Sequence, residues 1–109
     1  MKPVVFLGDS VAQLRAFPDG PRRNAGFQLD RVQRGLDPDN WKSMQSIGQG
    51  VREIRIRDSA GAFRVIYIAT FAEAVYVLHA FQKKSPRTSA RDVALAASRY
   101  RTLKRSIRQ

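Results

Sequence analysis

The chain has 109 residues, 43% of them apolar, no cysteine, and a formal net charge of +11 from 20 Lys and Arg against 9 Asp and Glu. That length fits one domain with one core, the lack of cysteine excludes disulfides and thiolate chemistry, and no apolar run approaches the ~20 residues of a membrane helix. The charge is lopsided, +2 over residues 1–50 and +9 over residues 51–109, and a concentrated basic field favours a polyanion, most often nucleic acid, over solubility alone.

Residues 3–8 read as a short first strand ended by Gly8. The apolar stretch there is too short for a signal peptide, so a cytoplasmic protein is expected. Asp9 or Ser10 can cap a helix, and Val11, Leu14 and Phe17 recur at helical spacing. Pro18-Asp-Gly-Pro21 stops that helix and starts a second, with Pro21 suited to its first position. Ala25, Leu29, Val32 and Leu36 form one stripe of the second helix, which Gly35 and Asp37-Pro38 end. The pair reads as a helical hairpin covering a sheet. Residues 37–46 read as a connector whose Trp41 and Met44 are core plugs.

A β-hairpin follows. Ile54 and Ile56 alternate with Glu53, Arg55 and Arg57, the period-two pattern of a strand with one buried face. Asp58 to Gly61 supplies turn residues. Phe63 to Ala69 is apolar apart from Arg64. A charge in such a run either has a partner, here Glu53 or Asp58 across the hairpin, or waits for an anionic ligand. Residues 74–82 form another apolar strand, broken by Lys83-Lys84-Ser-Pro-Arg87. Ser89 with Asp92 resembles a capping box. Val93, Ala97, Tyr100, Leu103 and Ile107 stripe the final helix, with Arg101, Lys104, Arg105 and Arg108 on another face. The order β-α-α-β-β-β-α, with three strands in an antiparallel meander, places the chain in the α+β class.

Little else carries chemistry. Gly48-x-Gly50 lacks the third glycine and the strand–helix setting of a nucleotide fingerprint. One histidine and no cysteine make metal binding a poor expectation, and no cofactor is expected. His79, mid-strand, reads as a structural group more readily than as a triad member. What remains is cations. Arg55 and Arg57 share one side of their strand, Arg64 lies on the next, and Lys83 and Lys84 end the one after. Neighbouring strands are ~5 Å apart, so these groups can converge. Such a cluster suffices for metal-free RNA cleavage. The 2′-hydroxyl attacks its own phosphate, cations stabilise the phosphoryl oxygens, and an acid assists the leaving 5′-oxygen.

Gly50-Val-Arg-Glu-Ile-Arg-Ile-Arg57, Phe63-Arg-Val-Ile-Tyr67 and Val77-Leu-His-Ala-Phe-Gln-Lys-Lys-Ser-Pro-Arg-Thr88 resemble the RelE/ParE toxin superfamily, and most closely its phage-derived HigB-like branch. The resemblance spans essentially the whole chain and implies a single RelE-like domain over residues 1–109. It implies the toxin of a type II toxin–antitoxin system, a metal-independent mRNA interferase that acts in the ribosomal A site. It also implies neutralisation by an antitoxin, often of helix-turn-helix type, in a hetero-oligomer. Arg64 matches the strand arginine on the scissile phosphate, Arg55 a basic position on the preceding strand, and Lys83 and Lys84 the basic pair ending the last strand. Arg57, His79, Arg87 and Arg91 are the further RNA-binding candidates. Some members carry a base-stacking tyrosine early in the last helix. Here that region is Ser89-Ala-Arg-Asp-Val93, and Tyr100 comes two turns later.

Two rival functions remain open. A ParE-like gyrase inhibitor needs no catalytic cations. A non-catalytic RNA-binding module should interleave aromatics with basic residues on an open sheet face, and Phe81 beside Lys83 is the hint of that.

Overall fold

The computed structural model describes residues 1–87 and 89–108, with the side chain of Arg108 outside the description, so Thr88 of the third motif and the expected basic position of Arg108 fall outside it. The elements run β1 (Val4–Phe6), α1 (Ser10–Arg15), α2 (Asp19–Gln33), β2 (Trp41–Ser43), β3 (Val51–Asp58), β4 (Gly61–Ile68), β5 (Val75–Lys83) and α3 (Ala90–Arg108). One five-stranded sheet has the order β1-β5-β4-β3-β2. All pairings are antiparallel except β1 with β5. The class is α+β, as the order of the predicted elements implies.

The meander gains a strand that the sequence pattern did not reveal. Trp41–Ser43 pairs with β3 through Trp41↔Ile54, so part of the expected connector is an edge strand. Trp41 is half-buried, not a core plug. The Arg52 guanidinium lies 3.8 Å from its ring centroid and is held by Asp37 at 2.8 Å. Met44 does pack against a core. Helix α2 starts at Asp19, so Pro21 occupies its third position, still in the first turn where an amide N–H has no helical partner. Leu36 falls out of the expected stripe. The helix ends at Gln33, Gly35 turns the chain at φ +84°, and Leu36 is 50% exposed.

Alternation divides the sheet between two cores. Ile54, Ile56, Phe63, Val65, Tyr67, Val75 and Val77 face α1 and α2 and meet Leu14, Phe17, Ala25, Leu29 and Val32. Burying each such side chain fully stabilises by ~1.5–3 kcal/mol, and Phe17 and Phe63 add a tilted ring contact at 4.9 Å. On the other face, Val51, Ile66, Ile68, Leu78 and Phe81 lie under Ala96, Tyr100 and Leu103 of α3. Ile107, expected in that stripe, is 38% exposed at the helix end.

A bulge sets which β5 residues join which core. The register passes from Ile66↔His79 to Tyr67↔Val77 and leaves Leu78 without an opposite residue. Beyond it the parity of β5 reverses, so His79, Phe81 and Lys83 share the α3 side of the sheet with Ile66, Arg64 and Ala62. Arg99 fastens α3 there, donating to the Leu78 carbonyl at 2.9 Å and to Asp9 at 2.6 Å.

The docking of α3 gives a first prediction. A Cβ on Gly48 would lie 2.3 Å from Cε2 and Cζ of Tyr100, a buried ring. Gly48→Ala should therefore displace α3 and cost about 1–3 kcal/mol, the range for overpacked cores. Thermal melting should show a Tm lower by roughly 5–15 °C. An unchanged Tm would mean that Tyr100 moves aside freely.

Candidate functional site

Helix α3 covers only one end of its sheet face. Along β3 the same face continues from Val51 through Glu53 and Arg55 to Arg57, along β4 from Ile66 through Arg64 to Ala62, and along β5 from Phe81 to Lys83. There α3 stops contributing to the core, and the sheet opens into a hollow of about 510 Å³. Arg55, Arg57, Arg64, Lys83 and Lys84 line it together with Ala62, Ser85 and Pro86. The strand order thus converts residues far apart in sequence into one basic surface. Ala62 matters by being small. It pairs with both Arg57 and Lys83, so the row between those two cations carries only a methyl group.

Arg64 is the most constrained member. Its side chain is 4% exposed, its Nε lies 3.5 Å from Glu53 Oε1, and its Nη1 donates to the Phe63 carbonyl at 3.1 Å. The Nε is buried without a hydrogen-bond partner among the described residues. Desolvation by burial, with Arg55 and Arg57 adding like charge, lowers its pKa, while Glu53 acts in the opposite sense. The partner is thus Glu53 and not Asp58, whose carboxylate accepts from the Ala60 amide in the hairpin turn at 3.0 Å. Arg64 is therefore not a solvated surface charge, whose loss would cost at most about 1 kcal/mol.

Lys83 and Lys84 divide. Lys83 belongs to β5 and faces the hollow by its pairing with Ala62. Desolvation, then the charge of Arg64, pulls its pKa below the ordinary lysine value. Lys84 lies past the strand end and is exposed. Arg55 is partly covered, its Nε 3.9 Å from Glu53 Oε1, and Arg57 is exposed.

Three sequence candidates do not join the hollow. His79 is buried under α3. Its Nε2 pairs with Asp92 Oδ1 at 2.7 Å, and its ring stacks on Phe81 at 5.1 Å. Asp92 also accepts from Ser89, whose hydroxyl in turn accepts from the Asp92 amide at 3.1 Å, so the expected capping box is present and His79 anchors it. Arg87 and Arg91 are exposed outside the hollow's lining. Phe81 is buried against His79 and offers no open stacking platform, and Tyr100 is likewise covered. The residue that sequence reasoning left out is Glu53. It was visible only as one of two possible partners for Arg64. Among the described residues no three His, Asp or Glu side chains gather as metal ligands would, and no helix is long and apolar enough to cross a membrane.

Residues 12–101 match the family described as Phage derived protein Gp49-like (DUF891). The chain belongs to that family. The match runs from within α1 through most of α3, and so takes in every lining residue of the basic hollow. No curated protein matches the chain. In this Gp49-like protein the hollow can therefore be read only from its own chemistry. It offers a buried guanidinium, two partly or fully exposed arginines and a lysine of lowered pKa, spaced along one open sheet face. That set can hold phosphodiester oxygens and supply a proton.

Proposed function

We propose that this Gp49-like protein is the toxin of a type II toxin–antitoxin system in the RelE/ParE superfamily, of HigB-like type, and that it cleaves mRNA on the ribosome. The observation that carries the reading is Arg64, a guanidinium 4% exposed that nonetheless lines an open hollow with four further cations. In the reaction the 2′-oxygen gives its proton to a solvent water and bonds to phosphorus, and the bond from phosphorus to the 5′-oxygen breaks. The leaving oxygen gains a proton, so the products are a 2′,3′-cyclic phosphate and a 5′-hydroxyl. Arg64 and Arg55 stabilise the phosphoryl oxygens as charge builds on them. Lys83 is the group that protonates the leaving oxygen, because its lowered pKa makes it a better acid than an ordinary lysine. Partners on this reading are the ribosomal A site, the mRNA in the cytoplasm and a cognate antitoxin of helix-turn-helix type.

The test is induction of the chain in cells, with protein synthesis followed and mRNA 5′ ends mapped. Translation arrest with new 5′-hydroxyl ends inside coding regions is expected. Growth arrest with intact mRNA and stalled DNA replication would replace the reading by gyrase inhibition.

Binding should also respond steeply to salt. Arg55, Arg57, Arg64, Lys83 and Lys84, offset by Glu53, leave a net of four positive charges around the hollow. With a single-strand partner this predicts a slope of about −3 in log K against log salt. Titration of a short single-stranded RNA between low and physiological salt measures it. A flat response would indicate an apolar interface, as with a protein partner.

A further inference from the structure

Arg55 and Arg64 stand directly opposite each other across β3 and β4. Opposed residues of an antiparallel pair have Cβ atoms ~5 Å apart, and like charges placed so repel. The structure keeps them there with one carboxylate. Glu53 is two residues before Arg55 and so on the same face of β3. Its Oε1 lies 3.5 Å from Arg64 Nε and 3.9 Å from Arg55 Nε, and its side chain is 3% exposed. Its opposite residue on β4 is the apolar Ile66, a fully buried member of the α3 core. An apolar residue would suit that neighbour at least as well, since a buried ion pair is weak support for stability. What a carboxylate adds at this position is the orientation of two cations.

We propose that Glu53 is a positioning residue of the basic hollow, fixing the Arg64 and Arg55 guanidinia side by side for one phosphate while reducing the hollow's overall hold on an RNA strand. The proposal rests on the phosphate-handling reading above. It implies two opposite effects of one charge. Glu53 subtracts from the positive field, so it weakens binding. It also aligns the donors, so it speeds the chemical step. A carboxylate present only for stability would give the first effect without the second.

Glu53→Gln, which keeps size and removes charge, separates these effects. Single-stranded RNA should bind about threefold to tenfold more tightly, because a buried opposing charge has gone. Ribosome-dependent cleavage should show a lower KM and a kcat reduced by roughly tenfold or more, since misplaced catalytic groups cost that much or more. In an Arg55→Gln background the opposed charge is absent, so Glu53→Gln should cost clearly less in kcat, a coupling that a double-mutant cycle reads. A variant with wild-type Kd and kcat overturns the proposal. So does a loss of kcat with unchanged or weaker binding, or a cycle in which the two changes simply add.

NMR on the wild-type protein supplies a measurement that needs no variant to fold. The Nε–H of Arg64 and Arg55 should exchange with water more slowly than that of exposed Arg57, and equal rates overturn the clamp. If the wild-type protein cuts no mRNA on ribosomes, the nuclease reading fails by itself. Glu53 is then judged on RNA affinity and exchange rates, where tighter binding by Glu53→Gln with slow Arg64 exchange supports it and any other pair of results rejects it.

Discussion

Arg64→Ala is expected to lose mRNA cleavage by ~10²–10³-fold, the usual cost of removing one well-placed donor to transition-state charge. It is also expected to melt well below the wild-type protein. The two losses have different causes. Arg64 is 4% exposed and faces Glu53, itself 3% exposed, at 3.5 Å. Breaking a buried pair by removing one member leaves the other charge uncompensated, at about 3–5 kcal/mol. Arg55, 3.9 Å from the same carboxylate oxygen, remains as partial compensation, so the lower end applies. For a chain of this size that is a Tm drop of roughly 10 °C or more. Loss of activity in Arg64→Ala alone is therefore ambiguous, and two further variants resolve it. Arg64→Lys keeps the charge but not the planar fork that grips two phosphate oxygens, so it should melt close to wild type and still cleave poorly. Arg64→Met combined with Glu53→Gln removes both buried charges, should recover much of the stability, and should recover no cleavage. Cleavage on purified ribosomes below the melting temperature of each variant, with thermal melting alongside, decides the matter. A folded Arg64→Ala protein that cuts at near the wild-type rate would remove Arg64 from the mechanism.

How far the sequence reveals this arrangement depends on the range of the interactions involved. The hairpin was legible because Ile54 and Ile56 alternate with charges, and because Asp58 to Gly61 carries turn chemistry in adjacent residues. Ile54, Ile56, Val65 and Val77 are accordingly buried. Arg64 stood out as one charge in an apolar run. Strand β2 was not legible, since three residues show no period and its place is fixed by Ile54 on another strand. The bulge at Leu78 was invisible for the same reason. Strict alternation puts Val77, His79, Phe81 and Lys83 on one face. The bulge instead leaves Val77 with α1 and α2 and turns His79, Phe81 and Lys83 to the α3 side. Without that shift Lys83 would point away from Arg64. The basic hollow thus depends on one irregularity that no glycine or proline in β5 announces. Glu53 was undervalued because a buried partner and an anion site were treated as alternatives for Arg64. In the structure Arg64 has Glu53 at 3.5 Å and also lines the open hollow, so a partner does not take it out of the basic surface.

Lys83 and Lys84 should separate in their effects, although they are neighbours in sequence. Lys83→Ala is expected to reduce cleavage by ~10²-fold, within the range for a general acid. Lys84→Ala should reduce it only a few-fold, as a rim charge that helps to hold the strand. The distinction follows from β5, which ends at Lys83. Lys83 is paired with Ala62 beside Arg64, whereas Lys84 is exposed beyond the last pairing. The pH dependence has a definite sign. An acid must be protonated to act, so cleavage should fall as pH rises through the Lys83 pKa. Desolvation and the Arg64 charge hold that pKa below the ordinary lysine value, so the fall should begin at a lower pH than for a lysine in water. Arg64→Met, by removing the neighbouring positive charge, should move the fall in whatever activity remains toward higher pH. Lys83→Arg keeps the charge but does not give up a proton in this range, so it should bind RNA like wild type, cleave slowly, and lose the alkaline fall altogether. Rates of mRNA cleavage on purified ribosomes across pH, with RNA affinity measured in parallel, test each statement. Equal activity of Lys83→Ala and Lys84→Ala at the wild-type level would leave the nuclease assignment without its acid, and gyrase inhibition would become the leading function for the fold.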